Sequence, residues 1–236
     1  MVALVPGIHP THVRREIEAK IRGVARSGDV IFRYGEAQHF QPLLFRDADL
    51  SLGAGIRFSK IVCEMTDPVS PFSHAAVLEV VTPGDVRVWD MSDEGLRRPE
   101  LVDWMRETQA CSGLEIRRVN QEYRDKLPAM MAELHRIRDE EDPEYDYLFR
   151  PGDGRYYCTE LVHELLDRMV VSMPPRVLLT DLPGYGRFHW ALAKVGKIDL
   201  TVPIVHPGTA IVETEDPIGM RSSPHFGVVL TMPAAA

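Results

Sequence analysis

The chain has 236 residues, 44% of them apolar, enough for one large domain or two small ones with a sizeable core. Its 27 Lys and Arg stand against 35 Asp and Glu for a net charge of -8, and a phosphate backbone needs clustered cations, so nucleic acid is excluded as the main partner. No stretch approaches the ~20 apolar residues that cross a bilayer, and Pro6 and Pro10 interrupt the N-terminus where a signal peptide needs an apolar core, so the chain is expected to be cytoplasmic at synthesis.

In chain order, residues 11–26 place Val13, Ile17, Ile21 and Val24 at helical spacing after Thr11 as N-cap, which predicts an amphipathic leading helix. Gly28-Asp29 breaks it, and Val30 to Tyr34 reads as a strand. Residues 35–71 scatter Gly, Pro and Asp irregularly, with a short helix near Ile56 to Met65, and are read as a substrate-facing insertion. His74 to Val81 is an apolar run closed by Thr82-Pro83-Gly84-Asp85, and Val86 to Asp90 resumes with alternation, together a hairpin. A loop and a short helix around Leu101 to Thr108 lead to a further strand of the same sheet at Leu114 to Val119. Residues 121–141 read as a surface helix with Leu127, Met130, Met131, Leu134 and Ile137 on one side. A turn at Pro151-Gly152-Asp153-Gly154 precedes a buried helix that starts at or just before Cys158, and the Pro- and Gly-rich tail holds strands at Thr201 to Val205 and Ala210 to Val212.

The three cysteines, Cys63, Cys111 and Cys158, form no close pair and no metal-like spacing, which favours reduced thiols. Cys158 alone is placed at a helix start, where the helix dipole and free N–H groups stabilise a thiolate. A buried structural cysteine is the competing reading. A nucleophilic cysteine needs a base within reach, and the base an orienting acceptor. His74 opens an apolar strand, and the hairpin would bring Asp90 beside it; the alternative is a turn histidine with Asp90 as a strand-end cap. Glu79, five residues along the strand from His74 and so on its other face, is a weaker orienter. His163 points away from Cys158 on the same helix, and His39, His135, His189, His206 and His225 are dispersed without ligand spacing, so neither metal nor cofactor is expected. The acidic run from Asp139 to Asp142 reads as a solvated helix end, and Gly152-Asp153-Gly154 is too short for a phosphate loop.

The ordered blocks Gly28-Asp29-Val30-Ile31-Phe32, Phe72-Ser73-His74-Ala75-Ala76-Val77, Tyr145-Asp146-Tyr147-Leu148-Phe149 and Tyr156-Tyr157-Cys158-Thr159-Glu160-Leu161-Val162 resemble the permuted papain-like amidases of the YiiX/YaeF type, relatives of the NlpC cell-wall peptidases. The likeness spans about residues 27–183, and its specificity lies in the ordered set. It implies an α+β, circularly permuted papain-like (NlpC-type) fold, a small antiparallel sheet packed against the cysteine-bearing helix. It also implies Cys158 as nucleophile, His74 as general base and then acid, and Asp90 as orienting group. The backbone N–H of Cys158 would hold the oxyanion, with Tyr157 or Tyr147 adding a hydroxyl and Ser73 lining the substrate side; for both tyrosines, packing beside the helix is the competing role. The family more often has Glu at the position of Asp90 and Ser at that of Thr159.

These expectations combine into one papain-like hydrolase domain over residues 1–236, with 35–71 as insertion and 174–236 as extension. The expected reaction is cleavage of an amide, a peptidoglycan stem peptide or another small amide. A thioesterase or lipid acyltransferase on the same fold is the second reading, with Phe40, Leu43, Leu44, Phe45 and Phe58 walling an acyl pocket, and a binding module without turnover is the third. A wall substrate would require export by a specialised route, as for an injected toxin, whose partner would then be an inhibitor or immunity protein.

Overall fold

The structure is a computed structural model, described here for residues 11–34, 72–92, 94–107, 113–146, 149–169, 176–182, 185, 203–204 and 226–231. The expected insertion at 35–71, the helix near Ile56 to Met65, the strand at Ala210 to Val212, most of the extension from 174, Cys63, Cys111 and Tyr147 lie outside these residues.

The leading helix α1 (Thr11–Val24) buries Ile21 completely and leaves Val24 at its exposed end. It stops because Gly28 turns the chain with φ +88, a conformation that favours glycine. Asp29 fixes the turn: its carboxylate accepts the Arg26 N–H at 2.8 Å and both Nε and Nη2 of Arg118 at 2.7 Å. This ties the end of α1 to the strand that carries Arg118.

The strands are β1 (Val30–Tyr34), β2 (Phe72–Thr82), β3 (Asp85–Ser92), β4 (Gly95–Arg97) and β5 (Gly113–Val119), with short β6 (Val177–Leu178) and β7 (Pro203–Ile204) and a late β8 (Phe226–Thr231). Six form one sheet in the order β4-β3-β2-β1-β5-β8, and its neighbouring strands are antiparallel. The hairpin expected at 74–90 is β2–β3. The segment expected as loop after Asp90 contains β4, a three-residue strand too short for alternation to reveal.

Helices cover both faces, so the class is α+β. On one face Val30, Phe32, Ala75, Val77 and Trp89 meet Met130 and Leu134 of α3 (Leu127–Arg136) and Leu161, Leu165 and Leu166 of α4 (Cys158–Arg168). On the other, Ile31, Ala76, Leu78, Val88 and Ile116 meet Ile21 of α1 and Leu101 and Trp104 of α2 (Leu101–Glu107). The strands that cross the middle are therefore apolar on both sides, which is why β2 reads as an almost unbroken apolar run. The expected single helix over 121–141 is three pieces: a 3₁₀ turn at Gln121–Lys126, α3, and a π turn at Ile137–Glu141 that ends in Asp142 at φ 43. Its apolar side faces inward as the spacing requires, with Met130, Leu134 and Ile137 buried.

Helix α4 is the most enclosed, with Cys158, Thr159, Glu160, Leu161, Val162, Leu165 and Leu166 all buried. Each large apolar side chain there contributes about 1.5–3 kcal/mol by leaving water, which fixes the helix axis and hence its first residue.

A Cβ on Gly28 would strike the side chain of Leu127, in a backbone conformation that L-residues disfavour. Gly28→Ala is expected to lower the unfolding free energy by about 1–3 kcal/mol, read as a fall in the urea midpoint at constant m-value.

Candidate active site

Pairing of β2 with β3 runs from Thr82 opposite Asp85 to Val77 opposite Trp89, and among the described residues goes no further. Beyond that point β3 pairs instead with β4, Asp90 opposite Arg97. On its other side β2 carries a bulge: Arg33 of β1 pairs with His74 and Tyr34 with Phe72, so Ser73 is the extra residue. Bulges re-aim the side chains beside them, and His74 follows this one directly. His74 and Asp90 thus sit where two strands have just parted, and the start of α4 lies against them.

His74 Nε2 is 2.5 Å from Asp90 Oδ1. The second carboxylate oxygen, Oδ2, accepts Nη2 of Arg97 at 2.8 Å and its Nε at 3.2 Å. Burial opposes the charge on Asp90, yet the positive charge and hydrogen bond of His74, followed by those of Arg97, hold its carboxyl well below the usual carboxylate range.

With Nε2 committed to Asp90, Nδ1 is the ring nitrogen left for Cys158, which hydrogen-bonds the His74 side chain and the backbone of Ala75. Burial pushes the Cys158 thiol up, but the charge of His74, its hydrogen bond and the Ala75 backbone outweigh burial and the repulsion of Asp90, so the net direction is down. Burial likewise disfavours a charged His74; the negative charges of Cys158 and Asp90 prevail over it and over Arg33, and raise His74 to about 9. Both directions favour the charged forms, the thiolate of Cys158 and the imidazolium of His74.

Cys158 is the first residue of α4 and is 7% exposed. Tyr157 precedes it in extended conformation (φ -99, ψ 166), and its side chain makes no capping bond to the first turn. The approach to the helix is held by Asp146 N–H to Tyr156 C=O at 2.9 Å and Tyr156 N–H to Glu144 C=O at 3.3 Å. Asp146 also takes the Arg150 N–H, which supports Phe149 at φ 54. That turn presses the ring of Phe149 edge-on against Tyr157, centroids 5.0 Å apart.

Of the residues singled out in the sequence, Cys158, His74 and Asp90 come together, and Ser73 forms the adjoining bulge. Tyr157 packs its ring into the core, 3% exposed, and Tyr147 is outside the described residues. Glu79 is remote from His74; it accepts Trp89 Nε1 at 2.6 Å and Arg98 Nε at 2.7 Å. The guanidinium groups of Arg98 and Arg138 in turn lie over the Trp89 ring, 5.4 and 5.1 Å from its centre. Two residues the sequence reading passed over belong to the neighbourhood: Arg97, placed by the short β4, and Glu160. The carboxylate of Glu160 meets Arg176 through Oε1 at 3.1 Å, while Oε2 is buried with no hydrogen-bond partner among the described residues. Burial, more than Arg176 offsets, raises Glu160 to about 7.

Among the described residues no group of three or more His, Cys, Asp or Glu is placed to hold a metal ion, and no helix is long and apolar enough to cross a membrane. Neither a family model nor a curated protein sequence matches the chain.

Two outcomes follow from these charges. Because His74 titrates higher folded than the ordinary 6.5, its pairing stabilises the fold fully below about pH 6.5 and is lost as pH rises through about 9. Asp90→Asn removes the stabilising carboxylate, so the upper inflection in the pH profile of Cys158 alkylation moves down from about 9 towards 6.5. An inflection unmoved in the variant would remove Asp90 from its orienting place. Glu160 shows the opposite sign, a carboxyl raised by folding from 4.5 to about 7, so it weakens the fold as pH rises through that window. Glu160→Gln is expected to raise the thermal midpoint relative to wild type at pH 8 and to change it little at pH 4.5.

Proposed function

We propose that this chain is a cysteine hydrolase of permuted papain-like order that cleaves an amide bond through an acyl-enzyme. The observation that carries the reading is the meeting of a helix-start cysteine, a strand histidine and a carboxylate in one buried cluster, with the thiol lowered and the imidazole raised. The three residues come from separate elements, and core packing alone has no use for a thiolate, an imidazolium and a carboxylate placed together, since each buried charge is costly. The chain order, histidine strand before cysteine helix, is that of the family the sequence resembles, and the α+β architecture accommodates it.

In this mechanism the Cys158 thiolate attacks the carbonyl carbon, forming a C–S bond while the carbonyl π pair moves to oxygen. The Cys158 N–H, at the open end of α4, donates to that oxyanion. His74 delivers its Nδ1 proton to the leaving nitrogen as the C–N bond breaks, and Asp90 holds the ring in register throughout. A water molecule then gives His74 a proton and attacks the thioester; the acid departs and the thiolate–imidazolium pair is restored. Arg97 contributes by keeping Asp90 ionised and aimed. The substrate class is a small amide, a peptidoglycan stem peptide being the instance that the family resemblance favours.

Iodoacetamide tests the reading without a known substrate. Near pH 6 it is expected to alkylate Cys158 well before Cys63 and Cys111, mapped by mass spectrometry, and His74→Ala is expected to slow Cys158 by roughly tenfold or more as the imidazolium is lost. On any amide the wild type hydrolyses, Cys158→Ala and His74→Ala each abolish turnover, and the double variant loses little beyond either single one. Equal labelling of the three thiols, indifferent to His74, would overturn the proposal.

A further inference from the structure

Arg33 stands directly opposite His74 in the β1–β2 ladder, and residues opposite one another in an antiparallel pair project from the same face. Its charge reaches the His74 ring, where it is one of the three charges that act most strongly. Its Nε is cut off from solvent and has no hydrogen-bond partner among the described residues. A desolvated donor with nothing to receive it is costly, and a guanidinium kept for structure alone would be expected to find a carboxylate, as Arg97 does with Asp90 and Arg118 with Asp29.

The charges around the site sharpen the point. Thiolate and imidazolium balance each other, and Asp90 is balanced by Arg97. Arg33 stands opposite His74 with no ion pair of its own among the described residues. A cation opposite His74 whose buried Nε has no hydrogen-bond partner among the described residues fits an anion brought by the substrate. The fork of a guanidinium matches the two oxygens of a carboxylate better than a point charge would.

We propose that Arg33 makes the site selective for substrates bearing a carboxylate beside the bond that is cut, the guanidinium pairing with that carboxylate as the reacting carbonyl reaches Cys158. The inference rests on the reading of Cys158 and His74 as the reactive pair. It assigns Arg33 to substrate selection, a role distinct from the acyl transfer itself.

The test compares two alkylating probes of nearly equal size, anionic iodoacetate and neutral iodoacetamide. Both form the same S–CH₂ bond with loss of iodide, so the ratio of their rates cancels the reactivity of the thiolate and leaves the preference for a carboxylate. The wild-type ratio at Cys158 is expected to exceed that of 2-mercaptoethanol by about fivefold or more, and Arg33→Gln to remove most of the excess, leaving the share due to the imidazolium. Arg33→Lys, which keeps the charge and loses the fork, falls between. If Arg33→Gln does not fold, Arg33→Met retains the apolar stem and serves in its place. A wild-type ratio no higher than that of 2-mercaptoethanol overturns the proposal without any variant, and so does a ratio unchanged in Arg33→Gln. Failure of the catalytic reading looks different: iodoacetamide itself would then show no preference for Cys158.

Discussion

The arrangement depends on the carboxylate of Asp90, which is shared between two cations and withdrawn from water. An isolated carboxylate at 2% exposure would take up a proton rather than remain charged. His74 on one oxygen and Arg97 on the other reverse that preference. The consequence runs outward in both directions. An ionised Asp90 fixes the imidazole through Nε2 and raises its proton affinity, and the protonated imidazole favours the thiolate across from it. On the far side, Arg97 is held opposite Asp90 by the β3–β4 ladder, so a three-residue strand at the sheet edge helps decide the charge state of the cysteine.

The packing explains how so many charges are tolerated together. Helix α4 is buried along most of its length, and its first residue can therefore be aimed without relying on contacts of its own. Among the described residues β2 and β3 no longer pair beyond Val77, and there the Ala75 backbone bonds the sulfur of Cys158. A gap in the sheet, which would ordinarily count against stability, is here where the helix terminus engages the strand. The bulge at Ser73 belongs to the same design, since it frees His74 from strict pleat alternation with Phe72.

Much of this was legible in the sequence because it followed from period. Apolar alternation and the turn at Thr82 to Asp85 located the β2–β3 hairpin, and the apolar run after Tyr157 located a buried helix beginning at Cys158. What escaped was set by tertiary contact. β4 is too short to show a period, so Arg97 looked like one loop arginine among several. The order of strands, with β1 between β2 and β5, is a property of the folded sheet, and without it Arg33 carried no sign of facing His74. Glu160 lies in the helix expected to be buried, but nothing in the spacing marked its carboxylate as one that would be enclosed, and this residue is 1% exposed.

The site and the fold therefore draw on the same free energy. Keeping Cys158, His74 and Asp90 away from water sets a desolvation cost, and the surrounding apolar clusters offset it only while α4 and the central strands remain docked. Glu160 adds to that load through a carboxylate oxygen without a hydrogen-bond partner among the described residues, two residues after the cysteine. A chain selected for stability alone would have an apolar side chain there and at His74. These positions instead hold ionisable groups, His74 joined to Asp90 and Glu160 to Arg176, and each is a cost that packing alone does not explain.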